Sequence, residues 1–249
     1  MYSWRNFVDK VKRYFPPESF EKRGLLITIV LLGFMFSFRD WGTTQFDVTM
    51  GMKNFVIAIV LVAVAMAVHE LAHRTIAVWL GYRSQYKAWV LGLVIGLVLI
   101  FVSNGRLFFV AAGTLVITHL EFHRLGKGYY ALNYKHLGWI AMSGAIANML
   151  FAVILKSVYI GTGWPLLEKA ISINMWIALY DMLPIPPFNG SRTFFGSRFV
   201  YIFVVGALIG CAVLLTYTSG IIPLLGALVL GALALLVFFV YVDKMGSAK

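Results

Sequence analysis

The sequence predicts an α-helical polytopic membrane protein of about six transmembrane helices, with a small strand-rich, partly re-entrant insert between the second and third. Composition is the first observation behind this. The chain is 61% hydrophobic and only 12% charged, with a mean hydropathy of +0.85, whereas soluble domains carry about 25% charged residues. The second is six apolar runs read as spans against the ~20 residues a helix needs to cross a bilayer, of which 24–38 is short unless its flanking aromatics extend it. The third is a seventh apolar run, 89–103, which is too short for a helical span, rich in Val and Ile, and followed by further β-forming residues at 106–118.

In chain order, residues 1–23 form a juxtamembrane segment without the apolar core or small-residue cleavage site of a signal peptide. Tyr2, Trp4, Phe7, Val11 and Tyr14 or Phe15 recur at helical spacing, with Arg5, Lys10, Lys12 and Arg13 between them. That pattern fits either an amphipathic helix on a leaflet surface or a flexible basic tail, ended by Pro16-Pro17. The membrane-embedded domain runs over 24–242. Its spans are 24–38, 55–80, 137–160, 166–183, 199–217 and 221–242, and residues 39–54 read as a polar loop. The insert covers 82–136. Its run 89–103 reads as β-type or re-entrant structure with 106–118, or else as a short tilted helix. Exposed strand edges are excluded from lipid, so any sheet here must be covered or lie near the interface. Residues 243–249 form a tail.

The net charge of +11 does not indicate nucleic acid, because the Lys and Arg residues cluster at helix ends. Lys10, Lys12, Arg13, Lys22, Arg23, Arg83, Lys87, the 106–135 cluster, Arg192, Arg198 and Lys244 fall on one side if 82–136 does not cross. The positive-inside rule then puts both termini in the cytoplasm of a multi-pass cell-membrane protein. Cys211 is the single cysteine, so no internal disulfide is available. Close approaches such as Gly206–Gly210 read as ordinary helix packing.

The chemistry lies in His69-Glu70-Leu71-Ala72-His73, inside the second span. Histidines four apart put both imidazoles on one helix face, with a glutamate beside them to serve as base toward a metal-bound water. Three ionisable groups in an apolar helix are expensive without a role. His69 and His73 supply two ligands, and a catalytic zinc ion takes about three from the protein. Glu70 is the expected proton carrier. Asp181 is the natural third candidate: it is the acid just before Pro184-Ile185-Pro186-Pro187, where the helix must break, and irregular backbone at membrane depth is tolerated only if it is buried or lines a cavity. His119 and His123 repeat the four-residue spacing. They sit in a polar segment after a β-like stretch, which does not favour a second metal site.

Three blocks together resemble the site-2 protease family of intramembrane zinc metalloproteases, in its compact archaeal or bacterial form. They are His69 to His73; Ser143-Gly144-Ala145-Ile146-Ala147-Asn148; and Asp181 to Gly190, which is similar to the family's Asn-x-x-Pro-x-x-x-x-Asp-Gly. The resemblance spans roughly residues 54–200 and implies an endopeptidase that hydrolyses transmembrane segments of membrane-anchored proteins. It also implies a zinc cofactor, a partner that is a transmembrane protein in the lipid bilayer, and a substrate-side role for Asn148. Two departures stand out. Ala145 replaces a usual proline, and Asp181 and Asn189 are exchanged relative to the family pattern. Either Asn189 or Asp181 then serves as the third ligand, or the exchange weakens the metal site and leaves a non-catalytic helix-binding relative, a pseudoprotease. A transporter with a buried His-Glu-His-Asp relay is less favoured, because no internal repeat with paired broken helices is visible.

Overall fold

The computed structural model describes residues 4–42, 45–120 and 132–247. Its elements are α1 (Trp4–Tyr14), α2 (Ser19–Ser37), α3 (Val48–Leu80), β1 (Tyr82–Lys87), α4 (Val90–Val102), β2 (Thr114–His119), α5 (Tyr134–Thr162), α6 (Pro165–Asp181), α7 (Asn189–Gly196), α8 (Arg198–Tyr217) and α9 (Ile222–Ser247). Among the described residues, four helices are long and apolar enough to cross a membrane: α3, α5, α8 and the 222–242 part of α9. Of the two other predicted spans, α2 carries Glu21, Lys22 and Arg23 near its start, and α6 is 17 residues long.

The segment 4–14 is helical, as its periodicity allowed, and α1 buries none of its residues. The second expected span starts earlier than its apolar run, at Val48 rather than at 55. The reason is local: the Asp47 side chain accepts the backbone N–H groups of Thr49 and Met50 and caps the helix before the apolar run begins. The expected polar loop 39–54 is correspondingly shortened. At the other end Gly81 adopts a left-handed conformation (φ 85°), which stops α3 and turns the chain directly into β1.

The reading of 89–103 as β-type structure is corrected. Residues 90–102 are helical, with Gly92, Leu93, Gly96 and Ile100 on the buried face at three- and four-residue spacing. The small residues decide it: Gly96 lets the carbonyl of Phe109 come close, and Gly92 lies against Ala111. Residues 107–113 thus run back along α4, so the helix and its return make a hairpin. Among this irregular backbone, the carbonyl of Phe108 accepts the Tyr180 hydroxyl and that of Ala112 accepts the Tyr86 hydroxyl. A buried chain without a ladder needs such partners.

The sheet is smaller than expected and partly elsewhere. β1 pairs antiparallel with β2 in a register from Tyr82↔His119 to Lys87↔Thr114. Of the 106–118 stretch only its last part is strand. β1 is built on strict alternation, with Tyr82, Ser84 and Tyr86 buried and the residues between them less so. His119 ends β2; Glu121 and His123 lie outside the described residues.

α3, α5 and α6 form the centre. One apolar cluster joins α2, α3, α4 and α6 through Leu32, Met35, Val62, Met66, Leu93 and Ile177; a second joins α5, α6 and α8 through Met149, Ile171, Met182, Val204 and Cys211. α9 packs on α8 where Gly206 meets Ala234 and Gly210 meets Leu230, the ordinary close contact expected of those glycines.

Candidate metal centre

Three elements deliver the polar groups. α3 brings His69, Glu70, His73 and Arg74 on its buried face; α6 ends on Asp181; and α7 begins on Asn189. The turn between Met182 and Phe188 is the Pro-rich break, with a cis bond between Pro186 and Pro187. Carbonyls freed by the break are met locally, since Tyr201 donates to the Met182 carbonyl (3.0 Å) and Ser191 to that of Phe188 (2.7 Å). Gly190 lies directly on the carbonyls of Met182 and Leu183, where no Cβ has room. The break therefore closes tightly enough to bring residues 181 and 189 side by side.

α5 supplies the opposite wall. A Cβ on Gly144 would stand 2.7 Å from Cε1 of both His69 and His73. A glycine is what lets α5 approach the imidazoles, a small-residue contact of the kind that membrane helices use.

His69 Nε2 and His73 Nε2 are 3.0 Å apart, and His69 Nε2 is 3.6 Å from Asp181 Oδ2. One ligand atom from each of His69, His73 and Asp181 fits within a 4.8 Å cluster, and all three residues are buried. His73 Nδ1 lies 2.6 Å from the Ile140 carbonyl. Only a protonated Nδ1 can donate there, which leaves Nε2 with its lone pair toward His69 and Asp181. A backbone carbonyl holding the far nitrogen is the usual support of a metal-binding histidine. Asp181 Oδ2 and Glu70 Oε2 are buried without a hydrogen-bond partner among the described residues. Orphaned acceptors beside a lone pair are costly unless a cation or proton joins them. The donor set, two imidazoles and a carboxylate, is of the type that holds zinc. The residues present therefore fit the ion.

Asn189 takes a different part. Its amide nitrogen donates to Asp181 Oδ1 at 2.8 Å and lies 3.5 Å from His73 Nε2, while its carbonyl oxygen is buried and unpaired. The nitrogen and oxygen of an amide are assigned from this bonding pattern. With that assignment, the carboxylate of Asp181 faces the histidines and Asn189 steadies it. Asn148 is fully buried on α5, one turn beyond Gly144, and neither amide atom has a partner among the described residues.

A cavity of about 10 Å³, close to the space one water molecule needs, is lined by His69, Glu70, Asp181 and Asn189 on one side and by Tyr86 and Ala112 to Leu115 on the other. The N-terminal end of β2 thus forms a wall of the site.

Sequence reading overlooked several neighbours. Tyr86 bonds Thr28 (2.6 Å) as well as the Ala112 carbonyl, and burial pushes its hydroxyl pKa up. Arg74 is buried beside His73 and pairs with Glu21 at 3.1 Å. Glu21 also accepts the Tyr86 backbone N–H at 2.8 Å, so α2, α3 and β1 are joined directly behind the site. Arg74 carried a usable signal, a charge in an apolar run, but nothing local indicated its partner 53 positions away.

No known family profile matches the chain, and no solved structure matches it. The chain is similar to a protein of Methanocaldococcus jannaschii named "Putative zinc metalloprotease MJ0611", at 29% identity over 191 residues, which is 75% of this chain and 89% of that protein. That name and the His-His-Asp cluster fit a zinc-dependent metalloprotease.

Proposed function

We propose that the chain is an intramembrane zinc endopeptidase of the site-2 protease type, cleaving transmembrane segments of membrane-anchored proteins. The observation that carries the reading is the convergence of two imidazole nitrogens and a carboxylate, with a glutamate beside them, in a buried cavity reached by apolar helices. On this reading His69, His73 and Asp181 hold the zinc, and Asn189 orients Asp181. Six helices cross the membrane, α2, α3, α5, α6, α8 and α9, with the α4 hairpin re-entrant and both termini cytoplasmic. In support, Glu18 pairs with Arg83 (2.6 Å) and accepts from Gln85 (2.9 Å), which holds the N-terminal segment and β1 at the same end of the bundle.

Zinc held by His69, His73 and Asp181 would supply an activated water, its pKa lowered to about 7. Glu70 lies beside the ligand set, where its carboxylate can hold the proton released in hydrolysis. Once the C–N bond breaks, Glu70 returns the proton to the leaving amine. Buried walls exclude bulk water from the site. The end of β2 offers backbone against which a cut segment can lie extended, since a helix must unwind before its peptide bond is open to attack. Asn148 is assigned to hold substrate backbone, a use for its unpaired amide.

The non-catalytic alternative requires that the exchange at 181 and 189 remove the carboxylate from the site. The placement of Asp181 3.6 Å from His69 weighs against it. Incubation of the purified protein with a single-span test substrate, beside Glu70→Gln, tests the reading. Cleavage within the span by the wild type alone supports it. No cleavage by zinc-loaded protein across a panel of such substrates favours the helix-binding relative.

A further inference from the structure

Arg192 is a half-buried cation with a buried donor that is not used. It lies on α7, three residues beyond Asn189. Its Nη1 is buried with no hydrogen-bond partner among the described residues, and its Nη2 reaches only the Thr114 hydroxyl, at 3.4 Å. Among the described residues no carboxylate lies within ion-pair distance of it. Arg74 shows the contrast: Glu21 and the Phe15 carbonyl take its two terminal nitrogens. A guanidinium has five donors in a fixed fork, and buried donors left unmet cost free energy.

Position and charge tie Arg192 to the cavity. Thr114, which it touches, lines the cavity with Glu70 and Asp181. Burial lowers the Arg192 pKa, and the Asp181 carboxylate opposes that shift, so the guanidinium lies within the field of the metal centre. The exchange of residue types also matters here. An acid at position 189 would sit three residues before Arg192 on one helix, the spacing of an ion pair. Asn189 leaves the guanidinium without that partner.

Attack on a peptide carbonyl places a negative charge on its oxygen. A zinc ion held there would share that charge as a Lewis acid, but Glu70 and Asp181 are carboxylates and add nothing to its stabilisation. We propose that Arg192 is a catalytic residue whose free guanidinium donors bind the carbonyl oxygen of the scissile bond as it becomes an oxyanion. The proposal rests on the zinc-endopeptidase reading. Fixed donors aimed at developing charge are often the largest single contribution to such catalysis.

The test uses the full-length protein in detergent with zinc, as wild type, Arg192→Gln and Arg192→Lys. Zinc content, steady-state cleavage of a single-span substrate, and binding of two peptides of one sequence are measured. One peptide carries a phosphinate, a tetrahedral anion, and the other a hydroxamate, which grips the metal without a tetrahedral oxyanion. The expected result for Arg192→Gln is unchanged zinc, a fall in kcat of about 10²–10³-fold with KM little altered, and a parallel loss of phosphinate binding while hydroxamate binding holds. Arg192→Lys recovers part of both. Unchanged kcat in Arg192→Gln, or joint loss of zinc and of both ligands, overturns the role of Arg192 and leaves the zinc-endopeptidase reading standing. A wild type with neither zinc nor cleavage overturns that reading, and the role of Arg192 with it.

Discussion

Replacement of Glu21 by Ala would remove the anion behind the site. Glu21 is 1% exposed and its partner Arg74 5%. Its carboxylate receives Arg74 Nη2 at 3.1 Å, the Tyr86 N–H at 2.8 Å and the Glu18 N–H at 2.6 Å. Breaking a buried pair by removing one partner costs about 3–5 kcal/mol, because the other charge stays buried and uncompensated. The Tyr86 N–H, which lies in the interior, adds about 1–3 kcal/mol if it finds no substitute. The Glu18 N–H is nearer solvent and adds less. These figures do not sum simply, and about 4 kcal/mol is a working expectation for the single variant, a large share of a typical stability of about 5–15 kcal/mol. Glu21→Leu combined with Arg74→Met should recover most of the loss, since an apolar replacement of both partners is often nearly neutral. Cooperative denaturation of the purified protein in mixed micelles measures both. A single variant within about 1 kcal/mol of wild type, or a double variant no better than the single, would refute the view that this pair locks β1 and α3 together.

Three further outcomes are expected. Asp181→Ala should abolish tight zinc binding, while Asn189→Ala, which removes only the donor to Asp181, should weaken it about 10–100-fold; metal titration separates them, and equal retention by both would overturn the ligand assignment. Glu70→Gln should keep zinc and slow cleavage by about 10²–10⁴-fold, trapping uncut substrate that can be recovered by affinity capture; full activity would remove Glu70 from the mechanism. Gly144→Leu should push α5 off the imidazoles and lose zinc while far-UV circular dichroism stays helical, since a Cβ there already stands 2.7 Å from the His69 ring; normal zinc content would show that the close approach is unimportant.

Much of this arrangement is written locally in the sequence. The motif on α3 and the break after Asp181 follow from spacing, an apolar run and turn formers, signals that survive without knowledge of the fold, whereas Gly144 is marked only by the resemblance of its block. Segment 89–103 misleads because Val and Ile are common to buried strands and buried helices, and its two glycines acquire meaning only once the returning chain lies on them. β1 is hard to read from sequence because its buried alternating residues are Ser84 and two tyrosines rather than aliphatics. The partnership of Asp181 with Asn189 needed the geometry of the turn, since a change of residue type at two positions does not say which oxygen faces the histidines. Contacts between residues far apart in sequence, Glu21 with Arg74 and Arg192 with Thr114, leave no trace in any local window.

The central claim is that His69, His73 and Asp181 form one zinc site. Its most direct test is the metal content of the purified protein beside His69→Ala, because it requires no substrate. The account predicts about one zinc per chain, lost in the variant, as a three-ligand site would show. Absence of zinc from the wild type under metal-replete conditions, or equal zinc in the variant, would contradict it.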